Sequence, residues 1–502
     1  MTHSRPVRRE SGFRLGLVGI ILLPAIVLFH ARHAGFVADD FAVALEPVRW
    51  SVTGLLGTDW GHSPGDPARY RPVVTVLYGI DQFVGRGRPF AFHVTNFLLH
   101  GVAAALLALL ARRLTGSRAA GIVAGVLFVL HPAVHENVVW ISGRTHSTAT
   151  VFVLATLALL ARPPGQVSPT ASAFAIFSAW AALSSYEAAV TVPGAVAMVV
   201  WLQAGSLPAP SRLRHVARTT LPYVVLVVAY LVFRRVGLSS SEATAITLDP
   251  AVAWSNARAL AVRLLACGSC GLGGTAAQST TFWATAGTLA LSGAGAALAA
   301  RTEKGARAPW LAGAALAAIW FVPFATFPGY TDRFAYASVA GLSLALATGL
   351  VALARRRPPA TLAIALAVAL PMAGLWTRQL RLTAADWIAA GAIAEAIPSQ
   401  ARALLPAPPT GATLRFFRVP LNHGRAYVFI TSFHVAIARA YGRDDLDVRF
   451  EHAREDDAIA RAVRERGTCE AVLWWDGAAG RVQLAAGPQA CQRDPGADGS
   501  GQ

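Results

Sequence analysis

Charge is what this chain has least of: only 14% of its 502 residues are Asp, Glu, Lys or Arg, where soluble domains carry roughly 25%. With 54% hydrophobic residues, that shortage excludes an ordinary soluble enzyme. The same apolar richness excludes a disordered chain. Lysine is almost missing, Lys304 being the only one, so the basic residues are arginines. Four cysteines are too few for a disulfide-built scaffold. Cys469 and Cys491 offer one pair if the region holding them lies outside the cytoplasm. Cys267 and Cys270 have no second Cys or His pair at zinc spacing, so small packing residues are the better reading there. No repeat of roughly 20–50 residues is visible, which excludes a solenoid.

What the chain does have is long apolar runs with arginines at their ends. A span needs about 20 apolar residues, fewer when flanking residues snorkel. Spans are expected near 15–29, 91–111, 119–134, 142–161, 170–185, 187–204, 219–235, 281–300, 309–326, 334–354 and 360–376, a count of eleven. The first follows a basic start without a convincing cleavage site and reads as uncleaved. The net charge of +17 raises a nucleic-acid reading, but the placement of the arginines opposes it. Arg8 and Arg9, then Arg112, Arg113 and Arg118, then Arg212, Arg214 and Arg218, then Arg355 to Arg357 sit at span ends, as the positive-inside bias produces. Eleven crossings put all of these on the cytoplasmic side with the N-terminus, and put 377–502 outside. The stretch 254–274, holding Arg258 and Arg263, is left out of that count, and both a re-entrant segment and a further span stay open for it.

The expected fold class is an all-α polytopic membrane protein with a small extracytoplasmic α/β C-terminal region. The transmembrane domain would cover 1–380, including an outward first loop 37–90 in which Val73–Val84 lies along the membrane surface. The region 381–502 mixes short apolar runs, Ala426–Phe433 and Ala471–Trp475, with a charged helical stretch, Asp456–Arg466.

Polar groups just outside the spans carry the chemistry. Asp39 and Asp40 follow the first span directly, and adjacent carboxylates at a membrane face suit a general base, a metal ligand or both. His131, His135 and Glu136 interrupt an apolar run and Arg144 and His146 open the next. Charges at such depth cost roughly 2.5–3.5 kcal/mol each, so they face a cavity or a partner. Arg71 has the geometry for phosphate. Glu187 lies between two spans, and Asp332 stands beside Arg333, with which it could pair. On one face these groups suit transfer from a lipid-linked phosphate donor to an acceptor hydroxyl, with a base for the acceptor and arginine or a divalent cation such as Mg or Mn for the departing phosphate.

The order of motifs resembles a known family. Phe36-Val37-Ala38-Asp39-Asp40, Asp59-Trp60-Gly61, Tyr70-Arg71-Pro72, then His93, Asn96 and His100 follow one another. So do His131-Pro132 through Glu136, Gly143-Arg144, Ser185-Tyr186-Glu187, and Asp332-Arg333 through Tyr336. This is similar to the GT-C superfamily of membrane glycosyltransferases, most of all to the transmembrane O-mannosyltransferases that carry tetratricopeptide repeats and their bacterial relatives, over roughly 10–380. The resemblance implies inverting transfer from a polyprenyl-phosphate sugar, outside the cytoplasm, to a protein or glycan acceptor. It implies Asp39 as the base, with Asp40 assisting it or binding a metal. The chain's richness in alanine and arginine suits a bacterium of high genomic GC, and so a bacterial inner membrane. Three departures stand against the resemblance. His146 replaces an acid, Tyr186 stands where a lysine normally precedes the glutamate, and the tail has no tetratricopeptide repeats. A transporter or flippase of lipid-linked substrates would instead show paired halves with matching broken helices, which this sequence does not. An inactive scaffold of the same fold is the other alternative.

Overall fold

The structure, a computed structural model, describes residues 5–48, 50, 70–237, 249–266, 276–301, 307–355, 360–453 and 455–488. Asp59-Trp60-Gly61, Cys267, Cys270 and Cys491 lie outside the described residues, and with them the Cys469–Cys491 pair.

All eleven stretches expected to span fall on helices, 119–134 with a break at His131. Among the described residues seven helices are long and apolar enough to cross a membrane, or eight if one bent pair is a single span. Three expected spans fall in shorter helices, Arg144–Leu160, Pro169–Leu183 and Val192–Gln203. The protein is an integral membrane protein. Helix starts follow local chemistry. Pro72, Pro89, Pro169 and Pro250 occupy first-turn positions, where the missing N–H costs nothing. Ser117 and Ser168 cap their helices by accepting from Ala120 N and Ala171 N, each cap being worth about 1 kcal/mol. Lipid offers no hydrophobic drive between helices, so close approach of small residues does the packing. Gly313 and Gly341 show it, since a side chain on either would strike the other's carbonyl.

The chain divides into two compact units. The first holds Met1–Arg32, Pro47–Trp60 and Gly65–Ala384; the second holds His33–Glu46, Gly61–Pro64 and Ala385–Gln502. In the second unit β1 (Thr413–Phe417), β4 (Asp447–Glu451), β5 (Glu470–Asp476) and β6 (Arg481–Ala486) form one sheet in the order β4-β1-β5-β6. β1 runs parallel to both β4 and β5, and β6 is antiparallel to β5. Parallel neighbours need crossovers, and the helices Phe433–Tyr441 and Asp456–Glu465 supply them. Ile459 and Ala462 of the second helix pack on Phe417 and Val472 of the sheet. Of the two apolar runs, Ala471–Trp475 is strand β5, whereas Ala426–Phe433 is a mostly buried connection that pairs only at β3 (Ala426–Tyr427) with β2 (Asn422–His423). The Arg443 guanidinium and the Gly411 N–H hold the Asp445 carboxyl well below the ordinary carboxylate range, fastening the loop before β1 to the one before β4.

Candidate active site

In the first unit the break after Leu130 sets the geometry. Proline cannot continue the helix and pushes the residue before it into extended backbone; His131 has φ −65° and ψ 126°. The helix Arg118–Leu130 and the segment Pro132–Val138 therefore meet at 59°. His131 is fully buried. Its Nδ1 accepts from Ala133 N at 3.2 Å and its Nε2 lies 3.1 Å from Leu264 O, so the neutral ring is used on both sides by backbone. Gly143 closes the same turn, because a side chain there would collide with the Glu136 carbonyl.

Downstream of the break the charged residues pair across the fold. Glu136 accepts from Arg333 through both oxygens, at 2.7 Å from Nη1 and 3.0 Å from the backbone N. His135 Nε2 stands 3.0 Å from Asp332 Oδ2, and Arg263 Nε 2.5 Å from Asp332 Oδ1. Asp332 and Arg333, neighbours in sequence, are each paired with residues of other elements. Successive side chains on a helical turn point apart.

Arg144 forms a separate, wholly enclosed group. Its Nη1 donates to Asp81 Oδ2 at 2.5 Å, its Nε to Asn96 Oδ1 at 2.9 Å and its Nη2 to Phe92 O at 2.9 Å. The guanidinium also lies 4.6 Å from the Tyr78 ring centroid.

Arg71 is buried too. It donates Nη2 to Glu187 Oε2 at 2.8 Å and Nε to Oε1 at 3.3 Å. A residue that the sequence reading passed over completes this cluster: Arg234 Nη1 lies 3.0 Å from Glu187 Oε1 and donates to the Tyr230 hydroxyl at 3.3 Å. Among the described residues its Nε and Nη2 make no hydrogen bond. The missed signal was positional, since Arg234 and Arg235 close a span on the end opposite to the other arginine clusters. Tyr186, in the lysine position, carries the Arg71 guanidinium 4.8 Å from its ring centroid and packs against His146 at 4.0 Å. These two rings, with Trp320, Phe324 and Phe334, line a cavity of about 30 Å³, room for one or two waters.

Asp39 and Asp40 belong to the second unit and diverge despite adjacency. Asp40 is buried and its Oδ2 accepts from Val37 N at 3.0 Å. Asp39 is half-buried, and its Oδ1 accepts from the Thr431 hydroxyl. Among the described residues no group of three or more His, Cys, Asp or Glu could hold a metal ion.

No family model matches the chain. Protein O-mannosyl-transferase Tmtc1 of Drosophila melanogaster is 33% identical over 191 residues, 35% of this chain and 21% of that protein. Arabinofuranosyltransferase AftD from Mycobacteria superposes on 92% of this chain and 36% of its own, with a TM-score of 0.51 and 16% identity. ArnT from Cupriavidus metallidurans, solved with undecaprenyl phosphate, aligns over 92% of this chain and 93% of its own with a TM-score of 0.49 and 11% identity. The chain is homologous to the TMTC O-mannosyltransferases and has a GT-C fold. It spans about a fifth of the length of Tmtc1. The GT-C resemblance of the motifs and the helical membrane architecture expected from the sequence are thereby both found.

Proposed function

We propose that this protein transfers a sugar from a polyprenyl-phosphate donor to a hydroxyl of a protein or glycan, with Asp39 as the general base. The acceptor oxygen attacks the anomeric carbon while its proton passes to the Asp39 carboxylate. The bond from that carbon to the phosphate oxygen breaks, its electron pair leaves on polyprenyl phosphate, and the single displacement inverts the carbon. Asp39 suits the task better than Asp40 because it is half-buried and keeps Oδ2 for a proton, whereas Asp40 is buried and engaged by backbone. Within the first unit Arg234 has Nε and Nη2 for a phosphate group, and Arg71 fixes the Glu187 carboxylate that orients it. Arginine is suited to this because its planar fork matches a phosphate oxygen pair.

The observation that carries the reading is this pair of guanidiniums on one carboxylate, in a chain homologous to enzymes named for mannosyl transfer to protein. The remaining pairs, Glu136 with Arg333 and His135 with Asp332, would hold the substrate-facing loops in place. On this reading the protein sits in a bacterial inner membrane, with its N-terminus cytoplasmic and the region 381–502 periplasmic.

The test uses purified wild type and Asp39→Asn in detergent, each incubated with lipid extracted from native membranes, with every polyprenyl-phosphate sugar followed by mass spectrometry. One donor should be consumed by the wild type and by no more than a trace in the variant. Equal consumption by both would remove Asp39 as the base. No consumption by the wild type, with acceptor-bearing membrane protein supplied, would favour a scaffold.

A further inference from the structure

We infer that Thr431 is the positioning residue of the Asp39 carboxylate, and that the C-terminal region is therefore part of the catalytic machinery; this rests on the reading of Asp39 as the base. A carboxylate on a loop after a helix has free rotation about two bonds, and a base must present one oxygen to its proton within hydrogen-bond reach. The second unit shows how that freedom is removed. The loop 37–45 is fastened to the 428–439 segment by four separate contacts. Ala38 N donates to Val428 O at 2.8 Å, the Phe41 ring stacks on Phe429 at 5.9 Å, and Arg439 donates to Phe41 O at 3.2 Å and to Leu45 O at 2.8 Å.

Within that frame Thr431 donates its hydroxyl to Asp39 Oδ1. Among the described residues Asp39 makes no other side-chain hydrogen bond, so the Thr431 hydroxyl alone chooses which oxygen is left for the acceptor. Both partners adjoin unusual backbone. Ala38 has φ 46° and Ser432 has φ 57°, the left-handed region that non-glycine residues enter only where their surroundings hold them. The two bent residues flank the one contact that joins loop and tail at the carboxylate. A surface pair of no consequence would not need a left-handed residue on each side of it.

The experiment compares full-length wild type, Thr431→Val, Thr431→Ser, Asp39→Asn and the double variant Asp39→Asn/Thr431→Val, with the native lipid extract as donor at a series of dilutions. Thr431→Val removes the hydroxyl and keeps the shape. It should lower the rate at saturating donor about tenfold, the worth of one hydrogen bond to a charged group, with the half-saturating donor level unchanged. Thr431→Ser should restore most of the rate, and the double variant should be no slower than Asp39→Asn alone. Thr431→Ala serves if the valine variant does not fold. A Thr431→Val rate equal to wild type, with Asp39→Asn inactive, overturns the positioning role and leaves the base assignment standing. A rise in half-saturating donor without a fall in the saturated rate overturns it as well. Wild-type turnover by Asp39→Asn overturns the base assignment and this inference together.

Discussion

Three arginines were singled out or passed over for reasons that burial then reordered. Arg144, Arg71 and Arg234 carry the same charge, yet Arg234 keeps Nε and Nη2 without a hydrogen bond among the described residues. Arg144 spends Nε, Nη1 and Nη2 on Asn96, Asp81 and Phe92. The expectation that follows is kinetic. Arg234→Gln keeps a polar side chain of similar reach but loses the charge, so it should raise the half-saturating donor level by about tenfold or more, as loss of a charge-assisted contact of roughly 1.5–3 kcal/mol would. Donor titration against the extracted lipid measures it. An unchanged titration with full activity would leave Arg234 as a structural partner of Glu187 only.

At the level of elements, Arg144 ties together the helices Pro72–Gly85, Pro89–Thr115 and Arg144–Leu160, since Asp81 is on the first, Asn96 and Phe92 on the second and Arg144 on the third. Replacing it with methionine leaves Asp81 buried without its cation, a change that costs about 3–5 kcal/mol. Arg144→Met should therefore lower the thermal midpoint in detergent, and Asp81→Leu/Arg144→Met should recover much of the loss because no lone charge remains. A double variant no more stable than the single would show that the pair is not the reason. The break at His131-Pro132 was legible, because proline acts through its own ring and its immediate predecessor. The partners across the break were not. Glu136 meets Arg333 and His135 meets Asp332 from nearly 200 residues away, and no local periodicity reports such a distance.

For the whole molecule, ion pairs of the first unit sort the helix ends into two sets. Glu10 accepts from Arg112 and Arg118 at 2.7 and 2.6 Å, joining ends that the eleven-span count assigns to the cytoplasm. Arg71, Glu187, Arg234, Glu136 and Arg333 gather from ends that the same count assigns outside. In a cysteine-free background, a membrane-impermeant maleimide added to intact spheroplasts should label His423→Cys and spare Gln166→Cys until the cells are permeabilised. The reverse pattern would invert the topology and move the acidic loop to the cytoplasm.

Composition, hydropathy and the arginine clusters by themselves determined that this chain is a helical membrane protein, and motif order determined which superfamily it resembles, because both are written in local sequence. Proline and serine at helix starts, and the amphipathic Asp456–Glu465 helix, were equally local. Which charges meet was decided only by tertiary structure. Burial makes an unpaired charge expensive, and these charges found partners where the fold offered them: Arg234 at Glu187, Arg263 at Asp332, and Asp39 at the Thr431 hydroxyl 392 residues along the chain.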